Sequence, residues 1–152
     1  MKNILFICLT LFVFACKSTK KINEVDQTST DTNQATELVR ISSSIGQLDQ
    51  ISDPITISDV RLVGNKLFVD VTYGGGCKDH EFQLIGAPSL SKSLPPIRSI
   101  QLVHQANGDV CKMLLTQTLE IDLKNLAYQQ EKGSVIFLNL NGWKNTIEYT
   151  YE

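Results

Sequence analysis

Apolar and polar residues alternate with a period of two through most of the chain after Pro54, a pattern typical of half-buried β-strands. The clearest case is the segment 66–73, where four large apolar side chains fall on one face and the other face is mostly polar. These four are Leu67, Val69, Val71 and Tyr73. The alternation therefore predicts a strand that turns this face toward a core.

About six further strands are indicated by the same alternation, at residues 55–62, 80–86, 97–104, 115–123, 135–140 and 146–151. Gly64-Asn65 stands at the two-residue spacing of a tight hairpin, and Asn141-Gly142, between the segments 135–140 and 146–151, is the strongest short hairpin signal in the chain. Short strands with regular turn signals, and no convincing long helix, predict an all-β domain. We expect an immunoglobulin-like antiparallel β-sandwich of about seven strands over residues 51–152, in preference to a closed barrel.

The first sixteen residues have a different character. Lys2 precedes an apolar run of about eleven residues that ends at Phe14, and Ala15 and Cys16 follow it. A basic start, a short apolar run and a small residue form a secretory signal peptide. The run is too short to cross a bilayer, which needs about 20 residues.

The ending Val13-Phe14-Ala15-Cys16 resembles the lipobox of bacterial lipoproteins. The resemblance implies that residues 1–15 are removed as a signal peptide and that Cys16 is lipidated and becomes the new N-terminus. The protein would then be anchored to a membrane of the cell envelope by its lipid. Lys17 after the cysteine resembles lipoproteins sent to the outer membrane, which would place the chain there, facing the periplasm or the cell surface.

The segment 16–50 is expected to be the lipidated cysteine followed by a flexible tether. Residues 17–36 are polar and contain no aromatic side chain, so they bury too little apolar surface to offset the entropy of ordering. Their mean reach would be about 25 Å. Over residues 37–48 a short helix and a plain spacer are both open, and the serines at 42–44 weaken the helix.

The net charge of the chain limits the kinds of partner that it can bind. The chain has 14 Lys+Arg against 16 Asp+Glu, and loss of Lys2 with the signal peptide leaves a net charge near −3. Nucleic-acid binding would need a basic stripe, and we expect none. Membrane binding must come from the lipid, and the expected partner of the domain is a protein, a glycan or a small ligand.

Four cysteines occur in the chain. Cys8 leaves with the signal peptide and Cys16 carries the lipid, so Cys77 and Cys111 remain in an oxidising compartment. We expect a disulfide between them, enclosing about 35 residues and contributing about 4 kcal/mol by chain entropy. Two free thiols, a metal site and an intermolecular bridge are the alternatives.

Both histidines lie within seven residues of these cysteines. Strand parity places His80 and His104 at the rim of the core, where hydrogen bonds to Asp79, Asp109, Tyr73 or backbone would satisfy them. A second interpretation puts zinc or copper on the two histidines, with a third ligand from Asp79, Glu81 or Asp109. A third makes Cys77 a nucleophile activated by a histidine.

The segments 75–82 and 102–111, which contain both cysteines and both histidines, resemble a pattern in small secreted bacterial lipoproteins of uncharacterised function. The resemblance implies a disulfide-stapled β domain and supplies no activity. No nucleophile elbow and no nucleotide-binding fingerprint occurs in the sequence. We therefore predict a non-catalytic, membrane-anchored envelope lipoprotein that serves as a binding or accessory module. The alternative is a periplasmic metal-binding protein that uses His80 and His104.

Overall fold

The computed structural model describes residues 37–152, and these residues form a single sheet of eight strands. The strands are β1 (Glu37–Ile45), β2 (Thr56–Val63), β3 (Lys66–Gly75), β4 (Glu81–Gly86), β5 (Ile97–Gln105), β6 (Met113–Asp122), β7 (Val135–Leu140) and β8 (Ile147–Thr150). A 3₁₀ turn, Lys124–Leu126, follows β6. The predicted signal peptide, Cys16 and the tether over 17–36 lie outside the described residues. Within the described range, no helix has the length and apolar character to cross a membrane.

The strand order across the sheet is β2-β3-β6-β1-β4-β5-β7-β8. β1 runs parallel to both of its neighbours and β7 runs parallel to β5, while the remaining pairs are antiparallel. This mixed sheet curls until it is nearly closed into a barrel. The predicted immunoglobulin-like antiparallel sandwich is therefore wrong, although the all-β class is right. Alternation reports which face of a strand is buried, and it carries no information on which strand lies next to it.

Contacts at both ends of β2, one edge of the sheet, join it to the far side of the strand order, at β8 at one end and at the C-terminal end of β5 at the other. In the β2–β3 turn, the Asn65 side chain accepts a hydrogen bond from the Tyr149 hydroxyl at 2.7 Å and donates one to the Glu152 carbonyl at 2.8 Å. At the other end of β2, the backbone N–H of Asp53 donates to the His104 carbonyl at 2.8 Å. The eight strands therefore share one inner face, which holds the core.

The core is built from the alternating positions of the strands. The four apolar residues predicted for the inner face of β3 are all buried, which confirms the face assigned from the sequence. They pack with other side chains that are almost completely buried, among them Leu84, Ile100, Leu102, Leu119, Ile121, Ile136, Leu138 and Tyr149. The predicted two-residue turn at Gly64-Asn65 joins β2 to β3, with a φ of 55° at Gly64. Asn141-Gly142 also lie in a turn, with a φ of 83° at Gly142, but the connection from β7 to β8 runs over residues 141–146.

β1 occupies the middle of the sheet, where the sequence predicted tether. It pairs with β6 over Glu37–Ser42 and with β4 over Ser43–Ile45, so these residues form neither a spacer nor a helix. Two of the serines that weakened the helix prediction make hydrogen bonds within the fold, and the Ser44 hydroxyl accepts one from the Gln83 side chain at 3.2 Å. Ser43 is 3% exposed, and its hydroxyl donates to the Asp122 carbonyl at 2.5 Å. The sheet thus begins at residue 37 rather than after residue 50.

Candidate functional site

The cysteines and histidines that the sequence analysis singled out lie together at one end of the barrel. β3 and β5 end there and β4 and β6 begin there, so the loops 76–80 and 106–112 lie side by side. A disulfide joins the loops through Cys77 and Cys111, whose Cα atoms are 5.9 Å apart, within the usual range for such bonds. The pairing predicted from the sequence is present.

Asp109 ties the same two loops together from inside. Its Oδ2 accepts the backbone N–H groups of Cys77 at 2.8 Å and Lys78 at 2.9 Å, and its Oδ1 accepts the N–H of Cys111 at 2.8 Å. The side chain is fully shielded from solvent. The N–H of Cys111, followed by that of Cys77, holds the pKa of the Asp109 carboxyl well below its usual range, because hydrogen bonds to a carboxylate favour its charged form.

The two histidines continue inward from this carboxylate in a row. His80 Nε2 lies 3.3 Å from Asp109 Oδ2, and His80 Nδ1 lies 2.7 Å from His104 Nε2. A carboxylate can only accept, so His80 donates from Nε2. When both rings are neutral, His80 Nδ1 is then the acceptor for the N–H of His104. We call Asp109, His80 and His104 the buried row.

His104 is the innermost member of the buried row and is 1% exposed. Its ring stacks on Phe82 with centroids 4.9 Å apart and tilts against Tyr73 at 4.8 Å. Burial lowers the pKa of His104 below its ordinary value, and charge on His80 acts in the same direction. The backbone carbonyls at Asp53 and Pro54 oppose this effect.

Gly75 makes room for the buried row. A Cβ at this position would overlap the His80 ring, lying 2.6 Å from Cε1, and would be 3.2 Å from Asp109 Oδ2. At the preceding Gly74, a Cβ would meet nothing within 4 Å. Gly76 has a φ of 109°, which favours glycine for a different reason. The close-packed glycine turn expected from the sequence therefore depends on Gly75 for space and on Gly76 for backbone conformation.

The four residues predicted to hold a metal are not assembled as a ligand set. Among residues 37–152 the one group of three close ligand atoms is Cys77, Asp109 and Cys111, which the disulfide itself brings together. The separation of 2.7 Å between the His80 and His104 nitrogens is that of a hydrogen bond, whereas two ligands of a tetrahedral zinc stand about 3.3 Å apart. Asp79 is exposed. Zinc or copper on His80, His104, Asp79 and Asp109 stays a prediction.

Arg98, at the opposite end of the barrel, is a polar group that the sequence reasoning missed. It is 6% exposed, and its guanidinium donates to the Leu126 carbonyl at 3.1 Å and to the Ala87 carbonyl. Burial lowers its pKa. The signal was available in the alternation, which puts Arg98 on the same face of β5 as Ile100 and Leu102. Its bonds fasten the two loops that close this end.

An exposed apolar groove lies beside that end. It is lined by Leu94, Pro95, Pro96, Tyr128, Gln129, Ser134 and Val135, which we call the proline groove. Leu94 is 97% exposed and Tyr128 is 50% exposed. β5 and β7 both begin at this groove, whereas β5 ends at the buried row. The proline groove and the disulfide therefore mark opposite ends of the barrel.

No protein-family model and no curated protein matches the chain. Among solved structures, it is similar to a NigD-like immunity protein from Bacteroides caccae, with 18% identity and a TM-score of 0.54 over 78% of this chain and 66% of that one. A protein of unknown function (DUF1344) from Bacteroides vulgatus gives 17% identity and a TM-score of 0.47, covering 77% and 58% of the two chains. A putative toxin related protein from Parabacteroides distasonis gives 18% and 0.47, covering 74% and 61%.

The chain thus spans less than two thirds of the length of these structures. At this level of identity, the likeness to the Bacteroides caccae protein shows a shared fold. It supports the barrel-like sheet in place of the predicted sandwich.

Proposed function

We propose that this chain is a lipid-anchored protein of the cell envelope whose barrel is a non-catalytic module that binds a protein partner. The observation that carries the proposal is the difference between the two ends of the barrel. One end is locked by a disulfide and a buried polar row. The other end presents the proline groove to solvent.

The chemistry of the buried row favours a structural role over catalysis. Both oxygens of Asp109 are engaged by backbone N–H groups, and its lowered pKa makes it a weak base. Both ring nitrogens of His80 have partners inside the row. Cys77 is bonded to Cys111, so it offers no thiolate. These groups hold the loops in place and leave none of their own reactive atoms directed at solvent.

The proline groove has the composition of a protein-binding surface. Its lining is apolar apart from Gln129 and Ser134, and the Ser134 hydroxyl already accepts the N–H of Gln129 at 3.3 Å. The centres of protein interfaces are depleted in charge and enriched in aromatic side chains, and Tyr128 fits that pattern. A glycan would need more hydrogen-bonding groups than this groove offers. We therefore expect a protein partner that inserts an apolar side chain beside Leu94.

The likeness to a protein described as an immunity protein makes protein binding the first function to test. A photo-crosslinking residue placed at position 94 of the full lipidated chain, in its native envelope, should capture one defined protein. The matched control is position 51, because Ile51 is also an isolated exposed apolar residue, at 93%. With the purified partner, Leu94→Asp should weaken binding at least tenfold and Ile51→Asp should leave it unchanged. Equal capture at both positions, or equal effects of both variants, would contradict the proposal.

The anchor is tested separately. A Cys16→Ser change should move the protein from the membrane fraction to the soluble fraction, because the lipid is the proposed attachment. Persistent membrane association of this variant would refute the lipid model. This experiment is independent of the proposed protein binding, because soluble Cys16→Ser protein can still be tested for binding to the partner.

A metal-binding function would require His80 and His104 to give up their mutual hydrogen bond. We expect purified protein and a His80→Ala/His104→Ala variant to contain equal, substoichiometric zinc and copper. Stoichiometric metal in the unaltered protein that is lost in the double variant would establish the metal-binding alternative instead.

A further inference from the structure

The disulfide end of the barrel also carries exposed apolar side chains, which are not part of the buried row. Val110 is 86% exposed, Leu114 is 74% exposed and Met113 is 57% exposed. They lie within five residues of one another on both sides of Cys111, which the disulfide pins to the barrel. We call these three residues the rim patch. Exposed apolar groups gathered at one site commonly mark a contact surface.

The neighbouring strand leaves the rim patch uncovered. Leu114 lies opposite Gly74 in the β3–β6 ladder, and Met113 lies opposite Gly75. A Cβ added at Gly74 would meet nothing within 4 Å, so the outer face of β3 next to Leu114 is open. Met113 lies on the other face of β6, at the mouth of the barrel, where a Cβ on Gly76 would be 3.2 Å from the Met113 Cβ. The rim patch thus presents apolar side chains on both faces of the strand end, opposite two residues that have no side chain.

The rim patch lies at the end of the barrel from which the N-terminal segment leaves. β1 and β6 are parallel, and Glu37 is level with Gln117, four residues beyond Met113. At about 3.3 Å per residue, the start of β1 is about 13 Å below the rim along the strand direction. The polypeptide therefore enters the barrel at the rim-patch end.

We propose that the rim patch rests on the surface of the bilayer in which the Cys16 lipid is anchored, an inference that rests on the proposed lipid attachment. About 20 residues separate Cys16 from β1, so a lipid on Cys16 would keep this end of the barrel at high local concentration near the bilayer. Weak apolar contacts then suffice, because the anchor already holds the domain there.

Charge around the patch favours a zwitterionic lipid surface. Lys112 is exposed between Cys111 and Met113, where its ammonium can reach lipid phosphates while the apolar side chains enter the interface. Asp79 and Glu81 are also exposed near this end, so the rim carries both signs. The proline groove at the opposite end would then face away from the membrane and be open to its partner.

The sequence contains its own reporter for this contact. Methionine occurs twice, at Met1 and Met113, so removal of the signal peptide leaves Met113 as the single methionine of the mature chain. Lipidated protein labelled with ¹³C-methyl methionine is placed in zwitterionic nanodiscs, with and without a nitroxide on the acyl chains. The Met113 methyl signal should lose most of its intensity in the nitroxide discs. A Val110→Ser/Leu114→Ser variant should keep its signal, whereas the control Ile51→Ser should behave like the unaltered protein.

Each outcome separates the rim patch from the anchor. An unbroadened Met113 signal in protein that stays with the discs would overturn the rim-patch contact and leave the anchor standing. Equal broadening in the Val110→Ser/Leu114→Ser variant would do the same, because tethering alone would then explain it. Two methyl signals would show that Met1 is retained, which refutes the lipoprotein model itself. Crosslinking from position 114 to a protein and not to lipid would assign the rim patch to a protein partner and overturn the lipid contact.

Discussion

Replacing Gly75 by alanine should disrupt the buried row, while the same change at Gly74 should not. The two glycines are adjacent in β3, and neither has a positive φ. Gly75 faces the interior, where a Cβ overlaps the His80 ring, and Gly74 faces outward into open space. The two variants therefore add the same methyl group to adjacent positions of one strand, and only the variant at Gly75 creates a steric clash.

The size of the effect follows from the contacts that His80 makes. Alanine in a strand gains about 0.5–1 kcal/mol over glycine, so Gly74→Ala should stabilise the domain slightly. In Gly75→Ala the ring must move away from Asp109 and His104, and each lost hydrogen bond costs about 1 kcal/mol. Loss of the ring contact with Tyr73, at 4.7 Å between centroids, adds about 1 kcal/mol. The two variants should differ by about 3 kcal/mol, or about 12 °C in melting temperature.

Thermal unfolding followed by circular dichroism at pH 7.5, with the disulfide intact, measures this difference. The imidazole proton signals give a second readout, because the chain has only two histidines. Both signals should shift in Gly75→Ala and stay in place in Gly74→Ala. If the two variants melt within 1–2 °C of each other and their histidine spectra agree, the buried row does not depend on Gly75 as the geometry requires.

Three further predictions concern the disulfide, the Asn65–Tyr149 contact between the two edges of the sheet, and pH. Cys77→Ala/Cys111→Ala should lower the free energy of unfolding by about 4 kcal/mol, because the bond closes a loop with a sequence separation of 34; a loss below about 1 kcal/mol in a denaturant titration would contradict this. Asn65→Ala should cost about 1–3 kcal/mol by leaving the Tyr149 hydroxyl unpaired, and adding Tyr149→Phe should recover part of that loss. No recovery would mean that this bond does not hold β8 to the β2–β3 turn. The folded-state pKa of His104 is lowered, so the unfolded chain binds more protons just below pH 6.5 and the free energy of unfolding should fall as pH drops from 7 to 5. His104→Gln should flatten that slope, and an unchanged slope would assign it to other groups.

The sequence predicted the strands well because their alternation is a local property. The buried face of β3 and the turns at Gly64-Asn65 and Asn141-Gly142 follow from neighbouring residues alone, and the structure confirms them. The pairing of the strands depends on residues far apart in the chain, so the alternation alone does not distinguish a sandwich from a barrel, and the predicted sandwich is wrong. β1 was missed because its serines read as spacer, whereas Ser43 is buried and bonded to the Asp122 carbonyl.

The candidate site was predicted in its membership and not in its geometry. The predicted disulfide brings together the two loops beside which Asp109, His80 and His104 lie, so the sequence predicts that these three residues are neighbours. Their order in a single row depends on the interior space that Gly75 leaves and on the register between β4 and β5, which places Phe82 opposite His104. Neither property can be derived from the spacing of residues along one chain. Spacing alone therefore does not distinguish a row of hydrogen-bonded histidines from a pair of metal ligands.

The place of β1 in the sheet has a mechanical consequence for a chain that is pulled from its N-terminus. Tension that enters at Glu37 acts along β1, which is parallel to both of its neighbours and is held by β6 over Glu37–Ser42 and then by β4 over Ser43–Ile45. Its inter-strand hydrogen bonds are then loaded together in shear, whereas an edge strand would peel away one bond at a time. A barrel pulled through this central strand should therefore unfold at a higher force than one pulled through the edge strand β2 or β8.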